Sequence, residues 1–202
     1  MSDGYLSKAY DVSTTEETRD LYDEWASTYD EELVLQGYAT PKRIAAALAR
    51  HVPLDAPVLD MGCGTGLSGL ALMDEGFETV DGADLSEEML EEARAKGIYR
   101  HLREVDPDDP MGPVSPGDYA AIVACGVIGA GAAPLTLFDH IMHALGAGGH
   151  FAFSFNDHAL ADPAYEEKVL EWSDHAEVVH DATGEHIPGI GLNSRIWVMR
   201  KL

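Results

Sequence analysis

The chain is short of cysteine, of lysine and of long apolar runs. Its two cysteines, Cys63 and Cys125, are too few to staple a disulfide scaffold, so the sequence predicts a fold held by its core in a reducing compartment. No stretch approaches the ~18 consecutive apolar residues that a membrane span needs. The opening MSDGYLSKAYDVSTTEE also lacks the apolar segment of a secretory signal. We therefore expect a soluble, cytoplasmic protein with no membrane partner. Lysine and arginine together number 13 against 36 aspartates and glutamates, a formal net charge of −23 with only five lysines. Such a field repels phosphate backbones and argues against nucleic acid as a partner. It also suits a saline habitat, although solvated acidic faces are common elsewhere.

What is present is the material for one domain: 202 residues, 46% of them hydrophobic, enough for one sizeable α/β core. The first 40 residues are polar, charged and aromatic. Within EETRDLYDEWASTYDEEL, Leu21, Tyr22, Trp25 and Tyr29 recur along one helical side, which predicts a helical segment, residues 1–40, appended to a domain spanning 41–202. Thr40 is expected to cap a second helix, with Pro41 at its first position and Ile44, Ala45, Leu48 and Ala49 as its apolar stripe. The chain then alternates. Strand runs PVLDMG, ETVDGADL, IYRHLREVD (weak), YAAIVACG and HFAFSFN are separated by the helical patterns after Gly66, SEEMLEEARAKG and LTLFDHIMHALG. Such alternation implies a parallel sheet covered by helices on both faces. The tail reads as a helix, PAYEEKVLEWSDH, and two strands, AEVVHD and RIWVMRKL, with ATGEHIPGIGLNS between them. That connection has no room for a crossover helix, so the last strand is expected to enter antiparallel. Proline-rich DPDDPMGPVSPGD reads as a loop.

The glycine stretch VLDMGCGTGLSGLAL carries the first chemical signal. In an open α/β sheet, ligands sit beyond the carboxyl ends of the strands where the strand order reverses, so a glycine loop after the first strand is the place to look. A phosphate-binding P-loop needs a lysine after its last glycine, and Leu67 and Leu70 follow Gly66 and Gly69. A dinucleotide fingerprint needs a glycine at the sixth position counted from Gly62, where Leu67 stands. Asp60, two residues before Gly62, would repel a pyrophosphate. It would welcome S-adenosylmethionine (SAM), whose sulfonium, ammonium and carboxylate sum to +1. Asp84, ending the next strand, is placed to accept both ribose hydroxyls of an adenosine. Ser86 already supplies the following helix start, so Asp84 is not needed as a cap.

VLDMGCGTG followed by GADLSEEMLEEARAKG resembles the first two motifs of class I SAM-dependent methyltransferases, and YAAIVACGVIG and ALGAGGHFAFSF extend the likeness over residues 45–157. YDEWASTYDEEL and GIYRHL further resemble methyltransferase-like proteins of the Williams-Beuren-region type. The resemblance implies a doubly wound, Rossmann-like, seven-stranded, mostly parallel sheet with an antiparallel last strand. It also assigns the cofactor roles. Gly62, Gly64 and the backbone around Cys63 approach the methionine moiety in the loop that Gly66 and Leu67 complete, and Asp60 is expected as an acceptor for its amino-acid end. Asp84 takes the ribose, and Leu85 and Met89 flank the adenine. Asp106, with Glu104 as fallback, accepts from the adenine amino group. Cys125 and Gly126 lie beside the sulfonium.

Plainer readings stand beside several of these assignments. Cys63 and Cys125 read as buried thiols, Met89 reads equally well as core, and Leu70, Leu72 and Ile122 as core alone. His140 and His143 lack a third ligand, so they read as surface histidines and no metal is expected. The fourth strand ends in ACGVIG, without the motifs of nucleic-acid methylating enzymes and without an acid for Mg²⁺, which leaves a small-molecule acceptor. Candidate acceptor contacts are Asn156 and His158 after the fifth strand and the aromatic group Tyr22, Trp25 and Tyr29, whose helix either completes the core or lies across the site as a lid. An inactive SAM-binding protein and a nicotinamide oxidoreductase are the alternative functions.

Overall fold

Short apolar runs pair into one sheet because each is too brief to bury itself alone. The computed structural model describes residues 5–8, 14–129 and 132–202. The elements run α1 (Tyr5–Lys8), α2 (Thr15–Leu35), α3 (Thr40–Leu48), β1 (Val58–Met61), α4 (Leu67–Asp74), β2 (Val80–Asp84), α5 (Glu87–Lys96), β3 (Leu102–Glu104) and β4 (Ala121–Ala124). They continue with α6 (Thr136–Ala144), β5 (His150–Asn156), α7 (Asp157–Leu160), α8 (Ala164–Glu171), β6 (Ala176–Ile187) and β7 (Leu192–Lys201), a 3₁₀ turn at Pro188–Ile190 joining the last two strands. The seven strands lie in the order β3-β2-β1-β4-β5-β7-β6. β1 to β5 pair in parallel, and β7 runs antiparallel to both β5 and β6. β1 therefore sits where the strand order reverses, and a crevice opens beyond its carboxyl end.

The strand period of two divides the core between the two faces of the sheet. In β5, Phe151, Phe153 and Phe155 point to one face, where Phe138 of α6 meets the first two with ring centroids 5.1 and 5.0 Å away and Trp197 of β7 stacks on Phe153 at 5.3 Å. Ala152 points to the other face, against a cluster that includes Ile44 and Leu48 of α3 and Leu72 of α4. A third cluster joins the two ends of the described chain: Leu21, Trp25 and Leu33 of α2 pack on Ile187 and Leu192 at the tip of the β6–β7 hairpin.

Four local expectations need correction. Thr40 is not a cap: α3 starts without a side-chain cap, and the Thr40 hydroxyl lies 2.8 Å from His186 Nδ1 and 2.9 Å from Ser194 Oγ. Buried polar groups on β6 and β7 claim it because they have no water to turn to. The 182–194 connection is mostly strand. Its polar residues alternate outward along β6, the sheet edge, with register shifts between Val178 and His180 and between Glu185 and Ile187. α8 stops at Glu171, before SDH. Leu70 is only partly buried, whereas Leu72 and Ile122 are fully so.

Phe153 is fully buried among four aromatic rings. Phe153→Ala should cost about 3–5 kcal/mol of stability, read as a lower midpoint in urea unfolding at an unchanged slope.

Candidate functional site

The loop after β1 is fixed from both sides. On the sheet side, Gly62 N and Cys63 N donate to the Ala83 carbonyl at 2.7 and 3.1 Å, and Gly64 N donates to Asp84 Oδ2 at 2.7 Å. Gly62 has φ +69°, and a Cβ there would stand 2.4 Å from Val127 Cγ2. No side chain fits. Behind the loop, the Tyr99 hydroxyl and the Ser68 hydroxyl each donate to Asp60 Oδ2 at 2.7 Å. Tyr99 fills the space beneath the loop so closely that a Cβ on Gly69 would meet its hydroxyl oxygen at 2.3 Å. Asp60 Oδ1 has no hydrogen-bond partner, and burial pushes the carboxyl up to about 6.

A cavity of about 200 Å³ opens in front of the loop. Gly62, Gly64, Asp84, Leu85, Ser86 and Met89 line one side, and Cys125, Gly126 and Val127 after β4 another. A Cβ added at Gly64 would meet nothing within 4 Å, so the loop backbone presents open space to a ligand. Asp84 accepts one bond on each oxygen, from Gly64 N and from Ser86 N at 3.0 Å, which leaves acceptor directions for a diol. Burial raises its carboxyl. Arg19 is the one lysine or arginine among the described lining residues. The donor set and the charge balance fit a cationic adenosine derivative.

α2 roofs this cavity with Thr18, Arg19, Tyr22 and Tyr29. It is tied down through the glycine loop itself: Thr65 Oγ1 donates to Asp30 at 2.5 Å, and Lys96 Nζ pairs with Asp30 at 2.7 Å while donating to the Thr65 carbonyl at 2.6 Å. Beneath the middle of α2 lies an inner cavity of about 60 Å³, lined among others by Tyr22, Trp25, Tyr29, Gly126, Ser154 and His186. Tyr22, Tyr29 and Gly126 line both spaces.

The structure thus brings Gly62, Gly64, Asp84, Leu85, Met89, Cys125, Gly126, Tyr22 and Tyr29 to the larger cavity. Met89, 1% exposed, is core and lining at once. Trp25 and Asn156 line the inner cavity. Asp60, Cys63, Gly66 and Leu67 stand behind or beside the loop: Gly66 starts α4 in the left-handed region, Leu67 packs toward the α2 cluster, and the Cys63 thiol is buried beneath Gly82. Asp106 is exposed and its carboxylate accepts from Asp108 N, so its neighbours Val105 and Pro107 meet the cavity instead. Exposed Glu104 lies 3.9 Å from Arg19. Asn156 Oδ1 caps α7, a helix the sequence did not suggest, and His158 lies exposed within that helix, lining neither cavity. His140, exposed on α6, does line the larger cavity. Among the described residues no group of three or more His, Cys, Asp or Glu could hold a metal ion, and no helix is long and apolar enough to cross a membrane.

A glycine loop, an acid ending the neighbouring strand and the 3-2-1-4-5-7-6 sheet together define a SAM-dependent methyltransferase fold. Residues 34–191 match the model of the methyltransferase domain family, and the chain belongs to that family. Human methyltransferase-like protein 27 is 32% identical over 117 residues, 56% of this chain and 48% of that protein. A Streptomyces fradiae dTDP-3-amino-3,6-dideoxy-alpha-D-glucopyranose N,N-dimethyltransferase is 38% identical over 93 residues, 44% of this chain and 35% of that protein. The chain thus covers about half or less of the length of these curated relatives. Magnesium protoporphyrin IX methyltransferase from Synechocystis PCC 6803, solved with bound SAM, superposes with a TM-score of 0.67 at 17% identity, over 95% of this chain and all of that one. SAM is the cofactor of the fold.

Asp60 gives a pH signature. Its folded value of about 6 lies above that of an unfolded aspartate, so the folded state holds the extra proton and stability falls as pH rises through this window. Asp60→Asn should abolish that component. Relative to the parent, the variant should gain about 2.4 kcal/mol between pH 4 and pH 7 in urea unfolding without ligand.

Proposed function

We propose that the chain is an active SAM-dependent methyltransferase acting on a small-molecule acceptor. The observation that carries this reading is a pair of neighbouring cavities that share Tyr22, Tyr29, Gly126 and Ala132 in their walls, the larger reaching Asp84 and Gly62 and the smaller lying under α2. Asp84 holds the ribose hydroxyls, Leu85 and Met89 flank the adenine, and the Gly62–Gly64 backbone meets the amino-acid end. When bound, SAM supplies an electrophilic methyl on sulfur. Gly126 and the Cys125 backbone border the place where that methyl emerges. Burial pushes the Cys125 thiol up to about 12, so it stays protonated and does not compete as a nucleophile.

In this reading residues 1–40 are the lid and 41–202 the transferase domain, although residues 1–4 and 9–13 of the lid lie outside the described residues. The lid excludes water and helps wall the acceptor site, so transfer rests on alignment and desolvation. The Streptomyces relative, named for a nucleotide-sugar substrate, is consistent with a small acceptor.

S-adenosylhomocysteine at ~100 times its dissociation constant should add about 2.7 kcal/mol of stability, whereas NAD should add none in the same thermal-shift series. Asp84→Ala should weaken SAM binding by roughly 2–4 kcal/mol, measured calorimetrically, with the fold retained by circular dichroism. Arg19 is the one tryptic site within α2. SAM should slow cleavage there several-fold, and unchanged cleavage at saturation would refute the lid.

A further inference from the structure

Two polar side chains around the inner cavity each accept one hydrogen bond inside the protein and still have a proton to donate. Ser154 Oγ accepts from Gly126 N at 2.9 Å, and Asn156 Oδ1 accepts from Ala159 N at 3.0 Å. The Ser154 O–H and the Asn156 amide N–H are donors that these bonds leave unused. Trp25 is 1% exposed and its indole Nε1–H has no hydrogen-bond partner.

His186 follows from a relay behind the cavity. Arg43 Nη1 can only donate, and it donates to Ser194 Oγ at 2.9 Å. Ser194 Oγ is 2.9 Å from Thr40 Oγ1, which is 2.8 Å from His186 Nδ1. Both hydroxyl groups are fully buried. If Ser194 donates to Thr40 and Thr40 to Nδ1, every proton is used; the reverse order strands the Ser194 proton without an acceptor. His186 therefore carries its own proton on Nε2, and burial with the Arg43 charge holds its pKa down at about 4, so the ring is neutral near pH 7. It donates and does not take a proton.

No Asp, Glu, Lys or Arg is among the described residues lining this cavity. Burial also pushes the Tyr29 and Tyr38 phenols well above their ordinary range, so neither offers a phenolate. An ammonium group would find no carboxylate here, and an amine or alcohol would find no base. A carboxylate needs neither, being ionised already, and the Arg43 charge behind the relay favours it.

We propose that the inner cavity is a carboxylate subsite: it seats the carboxyl group of the methyl acceptor, and the product is a methyl ester. One carboxylate oxygen forms the new bond to carbon, the carbon–sulfur bond of the sulfonium breaks with its electron pair remaining on sulfur, and no proton moves. The proposal rests on the methyl-transfer reading above and names its substrate class.

The test uses ¹⁵N-labelled full chain saturated with S-adenosylhomocysteine, titrated with hexanoate, hexylamine and hexanol. The Trp25 indole resonance, identified by its loss in Trp25→Phe, is the readout. Hexanoate should shift it and bind at least tenfold tighter than either analogue. His186→Phe should weaken hexanoate at least fivefold and His186→Gln should restore most of the loss, with S-adenosylhomocysteine affinity unchanged in both. With methyl-tritiated SAM and a metabolite extract, mild alkali should release the transferred label as volatile methanol. Equal or tighter binding of hexylamine or hexanol, no hexanoate binding by a protein that holds S-adenosylhomocysteine, or an alkali-stable label would each overturn the subsite alone. Failure to bind S-adenosylhomocysteine would overturn the methyl-transfer reading beneath it.

Discussion

Everything in this site depends on the glycine loop being held against the end of β2. Three backbone N–H groups in a row, those of Gly62, Cys63 and Gly64, are satisfied by the Ala83 carbonyl and the Asp84 carboxylate. Buried amides without such partners would each cost ~1–3 kcal/mol, so the loop has little freedom to fold otherwise. One residue thereby serves two ends. Asp84 shapes the loop with one lone pair on each oxygen and keeps the others toward the cavity. A substitution at Asp84 therefore disturbs the shape of the loop as well as the acceptor directions that face the cavity.

The rear of the loop is less comfortable. Asp60 is fully buried, with two donors on one oxygen and none on the other. Such half-satisfied carboxylates are expensive, and they persist where a nearby site gains from the geometry. Here the gain is Tyr99, pulled under Gly66 and Gly69 by the same carboxylate. The roof is held differently, by Asp30 meeting both Thr65 and Lys96 at a partly exposed position, where a charged contact contributes modestly and can open. A rigid floor and a releasable roof are what a site needs if ligands are to enter it.

The sheet was legible in the sequence because its signals are local. Alternating apolar runs, the glycine spacing and Asp84 all lie within windows of a few residues, and the family resemblance they carry implies the doubly wound, mostly parallel sheet that is found. Ser86 could be read as the start of α5 and its hydroxyl does accept from Met89 N. The parts that were hidden depend on partners far along the chain. Thr40 looked like a cap because nothing nearby reveals His186, 146 residues away. His186 itself lay in a stretch whose glycines, proline and acids read as a loop, since an edge strand with one wet face carries the same composition. Tyr99 stood in a recognisable pattern, but its role beneath the loop needed the bend between α5 and β3 to be seen. Asp106 is misplaced for a simpler reason: it lies two residues beyond the three-residue strand β3, where Val105 and Pro107 take the positions that line the cavity.

The packing of α2 on the hairpin tip sets an order of events in the making of the molecule. Trp25 and Leu33 belong to an early part of the chain, while Ile187 and Leu192 belong to its last two strands. On a ribosome the half-made chain can assemble β1, its glycine loop, β2 and α5 and tie Asp30 of α2 to Thr65 and Lys96, yet Trp25 and Leu33 lack Ile187 and Leu192 until the hairpin has emerged and zipped. The glycine-loop side of the molecule can therefore form before the inner cavity is closed. A nascent chain that captures SAM early would hold it in a crevice that the hairpin has not yet helped to enclose.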